Sequence, residues 1–113
     1  MAYECYDVVV VPFPFTDRAA SKRRPALVLS RAAAFNTPSG HAVLAMITSR
    51  ENEPWPLDVA VADRERAGLP APSMVRMKLF TLDQRLVLRK IGELAQGDRR
   101  NVSRALRRLL GLR

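Results

Sequence analysis

The sequence predicts an α+β domain, a small and strongly curved β-barrel closed by one C-terminal amphipathic helix. Three observations lead there. Short apolar runs rich in β-branched residues recur between proline-, glycine- and charge-rich connections, as strands do. The final segment changes period: Val102, Ala105, Leu106, Leu109 and Leu110 fall at helical spacing, while Arg100, Arg104, Arg107 and Arg108 project elsewhere. The chain of 113 residues is a single domain, residues 1–113, with room for about six short strands around one core.

Taken in order, Tyr6–Phe13 ("YDVVVVPF") is almost continuously apolar, which suits a strand buried on both faces. Pro12 and Pro14 cannot donate ladder hydrogen bonds, so this strand ends or bulges at "PFPF". "TDRAASKRR" reads as a polar, basic loop, and Pro25–Arg31 as the second strand of a hairpin. "AAAFNTPSG" is a short helical turn or loop closed by Pro38 and Gly40. His41–Thr48 is a third strand, "SRENEPWP" a proline-flanked loop, and Leu57–Ala62 a half-buried strand with Leu57, Val59 and Val61 on one face. After the loop "DRERAGLPAPS", Met74–Leu82 sets Met74, Arg76, Lys78 and Phe80 against Val75, Met77, Leu79 and Thr81. That mixed pattern leaves the buried face open. The terminal helix starts from Asp98 as its N-cap.

Nineteen Lys/Arg against eleven Asp/Glu make a net charge of +8, and the excess is C-terminal. Residues 85–113 carry nine cations against two carboxylates, which draws the chain toward polyanions or an acidic protein. With one cysteine, Cys5, and one histidine, His41, neither an internal disulfide nor a Cys/His zinc site can be assembled. No cofactor is expected. Without a signal-peptide pattern or a long apolar run, the expected location is the cytoplasm, with no membrane contact.

The stretch "KRRPALVLS" places three cations, Lys22, Arg23 and Arg24, directly before a proline and an apolar strand. In order along the chain, "YDVVVVPFPFTD", "RRPALVLS", "AAAFN", "VLAMITS", "VR" with a following "TLD", and "VSRALRRLL" resemble the MazF/PemK family of type II toxins. The resemblance spans nearly the whole chain. It implies an SH3-like, CcdB-like barrel acting as a homodimer. It also implies a metal-independent, sequence-specific endoribonuclease that cuts single-stranded RNA by 2′-OH attack, leaving a cyclic phosphate and a free 5′-OH. The implied partners are RNA and a cognate antitoxin with an acidic tail, with DNA reached only through the antitoxin complex.

The family's catalytic arginine precedes the proline and matches Arg24, and its hydroxyl residue at the end of the third strand matches Thr48, with Ser49 beside it. Physical chemistry supports the first assignment. A residue before proline is held in extended geometry, and a guanidinium is the best bidentate partner for a phosphate. Lys22, Arg23, Ser49 and Arg76 are expected to line the RNA path. Two positions depart from the pattern: Arg18 stands where some members carry a histidine, and Lys78 where some carry an aspartate. An arginine is a poor base, so the general base stays open. Phe15 and Trp55 are candidates for stacking on bases or for packing over a barrel end. The rival readings are a non-enzymatic CcdB-like inhibitor of DNA gyrase and an RNA-binding barrel that has lost cleavage.

Overall fold

The computed structural model describes residues 2–13 and 22–113, and these form a curled, six-stranded antiparallel sheet, a half-barrel, with a C-terminal helix. The strands are β1 (Asp7–Phe13), β2 (Lys22–Val28), β3 (His41–Ser49), β4 (Val59–Ala60), β5 (Ser73–Asp83) and β6 (Arg89–Glu93). Their spatial order is β4-β5-β3-β2-β1-β6. Two short helices, α1 (Thr37–Ser39) and α2 (Arg64–Ala67), lie in connections, and α3 (Gln96–Leu110) follows β6.

The continuous apolar run of β1 has the expected cause. Val8 packs into a cluster with Leu27, Ala45, Ile47 and Val75, which Val102 and Ala105 of α3 cover. Val9 and Val11 face the other way, with Ala26, Val28, Leu44 and Leu82, under Tyr3, Phe80 and Leu86. Both faces are therefore dry, and each fully buried side chain contributes about 1.5 kcal/mol or more.

The helix α2 packs against the edge strand β6. Gly68, in the left-handed region at φ +73°, follows α2 and faces β6: a Cβ there would sit 2.0 Å from the Ile91 carbonyl oxygen. Gly92 answers from β6, where a Cβ would lie 2.4 Å from the Ala67 carbonyl carbon. Two backbones thus meet at a distance that no side chain permits.

Several expectations change. β2 begins at Lys22, so the three cations belong to a strand rather than a loop; Arg24 pairs with Val11, Arg23 with Pro12 and Lys22 with Phe13. Both prolines are tolerated because of what runs beside them. β6 pairs with β1 only as far as Val10, and β3 with β2 only from Ala26 onward, so Pro12 and Pro25 lie beyond those ladders.

β4 shrinks to two residues because side chains take the backbone around it: Ala62 and Asp63 donate their N–H groups to the Asp98 carboxylate, both at 3.0 Å. Asp98 is therefore not an N-cap. That position belongs to Ala95, and Asp98, 3% exposed, ties the first turn of α3 to the end of β4.

β5 resolves its mixed pattern with a bulge. Ala45 pairs with Leu79 but Ile47 with Val75, so Arg76–Lys78 stand opposite Met46 alone. Val75 and Met77 then pack in the first cluster and Phe80 and Leu82 in the second. The sixth strand was not expected, since "RKIGE" offers one large apolar residue. Among the described residues no helix is long and apolar enough to cross a membrane.

Candidate functional site

β2 and β3 part just where the sequence changes from apolar to polar. Their last pair is Ala26 with Met46, and beyond it, where the two strands are no longer paired, Arg24 and Thr48 line the same two pockets. A proline cannot donate to a ladder, and Pro25 sits at the point of separation.

A cleft of about 920 Å³ occupies the gap. Lys22, Arg23, Arg24, Thr48 and Ser49 all line it, so five of the six residues expected at the site converge. Among the described residues its charged lining consists of Lys22, Arg23, Arg24 and Arg89, with no carboxylate. Four cations clustered in one cleft focus the field and attract a polyanion. The facing wall, Gly68–Ser73, is uncharged and carries Pro70 and Pro72.

Arg24 and Thr48 also line a second, smaller pocket of about 260 Å³, with Phe13, Met46, Arg76 and Phe80. The Arg24 guanidinium lies 4.9 Å from the centre of the Phe13 ring. Its Nε is buried and has no hydrogen-bond partner among the described residues. An unpaired buried donor of this kind costs about 1–3 kcal/mol until an acceptor arrives.

Arg76 departs from the expectation placed on it. Its guanidinium forms a bidentate pair with Asp58, Nε–Oδ1 3.2 Å and a terminal nitrogen–Oδ2 3.0 Å, and donates to the Glu53 carbonyl at 2.6 Å. It also lies 4.7 Å from the Trp55 ring centre. Burial pushes the Asp58 carboxyl up, but the hydrogen bonds from Arg76 and the Trp55 amide, with the Arg76 charge, hold it below the ordinary value. The cation thus already has an acidic partner, and the pair clamps the 50–58 loop to β5. Trp55 remains exposed above it.

Two cleft residues escaped the sequence reading. Asn52 donates from Nδ2 to the Thr48 Oγ1 at 2.5 Å, and Arg89 enters from β6. Asn52 carried a weak signal, four residues after Thr48 in a turn-prone segment; Arg89 carried none once β6 was missed.

Lys78 is exposed and lines the smaller pocket. Arg18 and Phe15 lie outside the described residues. His41 pairs with Asp83 at the opposite end of β3 from Thr48 and lines neither pocket. Among the described residues no histidine or carboxylate lines either one, and no group of three or more His, Cys, Asp or Glu is placed to hold a metal ion.

The family described as PemK-like, MazF-like toxin of type II toxin–antitoxin system matches residues 4–110. Similar solved structures include a MazE–MazF crystal form from Deinococcus radiodurans, 27% identical over all of both chains with TM-score 0.78. A second form from that organism is 25% identical over 100% of this chain and 99% of that one, TM-score 0.77. The Mycobacterium tuberculosis toxin MazF-mt6, 22% identical over 95% and 98% with TM-score 0.73, shares the fold. No curated protein matches. The ordered motifs, the half-barrel with its terminal helix and the family match over nearly the whole chain agree: this chain belongs to the PemK-like, MazF-like toxins of type II toxin–antitoxin systems.

Proposed function

We propose that the chain is a metal-independent, sequence-specific endoribonuclease that cuts single-stranded RNA and so arrests translation and growth. The observation that carries this is Arg24: a half-buried residue whose Nε has no partner among the described residues, sharing with Thr48 a cleft whose described lining holds four cations and no carboxylate. That arrangement suits a phosphodiester.

In the proposed reaction the substrate's 2′-OH attacks the adjacent phosphorus and gives its proton to water, the bond to the 5′-oxygen breaks with that oxygen taking a proton from water, and a 2′,3′-cyclic phosphate and a 5′-OH result. Arg24 binds the non-bridging oxygens as charge builds on them, and the Thr48 hydroxyl donates to one of them. A preorganised donor of this kind is worth roughly 2.7–4 kcal/mol. Lys22, Arg23, Ser49 and Arg89 hold the flanking phosphates. Arg76, neutralised by Asp58, serves mainly to order the loop beside the cleft and adds little to the pull on RNA.

With no histidine or carboxylate in the described lining, charge stabilisation and alignment carry the rate, and no general base is assigned. We further propose that the toxin acts in the cytoplasm as a homodimer. A cognate antitoxin with an acidic tail would neutralise it and make the complex's only contact with DNA; the MazE–MazF complexes among its structural neighbours support such a partner.

The test is expression in growing bacteria with RNA 5′ ends mapped and DNA checked for gyrase-linked breaks, beside Arg24→Ala. New 5′-OH ends that vanish in the variant are expected. Intact RNA with broken DNA would instead establish the gyrase reading, and growth arrest with neither lesion would leave a binding protein.

A further inference from the structure

We infer that Asn52 is a positioning residue that fixes the Thr48 hydroxyl as a donor toward the scissile phosphate, an inference that rests on the RNA-cleaving reading above. A threonine hydroxyl has one proton to give and two lone pairs. Left alone at the end of a strand it rotates and bonds its own backbone. Here the Asn52 amide Nδ2 donates to the Thr48 Oγ1, occupying a lone pair and turning the proton away from the loop. Both residues line the cleft. A donor placed on the oxygen also polarises the O–H bond, so the hydroxyl donates more strongly to a third group. Thr48 is thereby set up to give a hydrogen bond to a phosphoryl oxygen rather than to take a proton.

The backbone holds Asn52 where this requires. Its N–H donates to the Ser49 carbonyl at 3.1 Å, closing a turn, and the Glu51 N–H donates to the Ser49 Oγ at 3.2 Å. The turn folds the amide back over Thr48. One residue on, the Glu53 carbonyl accepts from Arg76, which Asp58 fixes in turn. Asn52 is itself exposed, so its side chain contributes little to the core. The Arg76–Asp58 pair, Asn52 and Thr48 form a chain of support that ends at the position where the phosphate would sit.

The experiment measures kcat and KM for a single-stranded RNA with the wild-type protein, Asn52→Ala, Asn52→Asp, Thr48→Val and the double variant Thr48→Val with Asn52→Ala. Circular dichroism melts confirm folding. Asn52→Ala is expected to lower kcat about two- to tenfold with KM little changed. Asn52→Asp is nearly isosteric but only accepts; it captures the Thr48 proton and is expected to lower kcat at saturating RNA at least as much. In the Thr48→Val background, Asn52→Ala is expected to cost nothing further.

Wild-type kcat in Asn52→Asp, a loss confined to KM, or additive losses in the double variant would overturn the role. If the wild-type protein leaves RNA intact, the proposed function fails and this role with it. If it cleaves and Thr48→Val lowers kcat while Asn52→Asp keeps the wild-type kcat, only this inference fails.

Discussion

Replacing Asp58 by alanine strands the Arg76 guanidinium. The Asp58 side chain is 6% exposed and that of Arg76 12%, and the carboxylate also accepts the Trp55 N–H at 2.7 Å. Breaking a buried pair by removing one partner costs about 3–5 kcal/mol. Arg76 keeps the Glu53 carbonyl and the Trp55 ring, the latter worth about 0.5–1 kcal/mol, so the lower figure applies, about 3 kcal/mol. At about 4 °C per kcal/mol for a chain of this size, Tm falls by roughly 12 °C.

Urea denaturation at neutral pH measures the loss directly, and the double variant Asp58→Leu with Arg76→Met should recover about half of it. The acid dependence has a definite sign. The Asp58 carboxyl is held below its ordinary value of 3.8, so its stabilisation is fully present above that value and is lost as pH falls through the lower folded one. The gap between wild type and Asp58→Ala therefore closes in acid. A Tm loss under about 4 °C, or a gap unchanged at pH values below the folded one, would refute the clamp.

Gly92→Ala should cost about 3 kcal/mol in the same denaturation assay, because its Cβ would meet the backbone of Ala67, which has no flexible end to give way. Asp98→Ala leaves two backbone N–H groups without an acceptor at a 3% exposed position and should cost about 3 kcal/mol, with Asp98→Asn losing roughly half of that. In RNA binding, Arg23→Ala and Arg89→Ala should each make the slope of log K against log salt shallower by about 0.7, whereas Arg108→Ala on α3 leaves it nearly unchanged.

Much of the fold is legible in residue patterns, for identifiable reasons. The valines of β1 announce a strand with two dry faces, and the apolar stripe of α3 announces its packing. β6 is not legible, because "RKIGE" offers one large apolar residue and its partner β1 lies some 80 residues earlier in the chain. Asp98 looks like a cap, since a carboxylate near a helix start usually is one; its acceptors here are filled by amides 35 and 36 residues away in sequence.

At the candidate site, Arg24 and Thr48 are singled out by motif, and the structure places both on the lining of one cleft. The ion pair of Arg76 is not legible because its partner Asp58 is 18 residues distant and joins it only beside the β4–β5 pairing. Asn52 is overlooked because a turn asparagine says nothing, by type, about which hydroxyl it will reach.

The most direct measurement is single-turnover cleavage of a defined single-stranded RNA by the purified protein in EDTA, with wild type beside Arg24→Lys. Lysine keeps the charge but lacks the planar fork. The wild type should release a cyclic phosphate and a 5′-OH end, and Arg24→Lys should be slower by about 10²- to 10³-fold with RNA affinity little changed. Uncut RNA with the wild type, or cleavage by Arg24→Lys at the wild-type rate, would contradict the assignment of catalysis to Arg24.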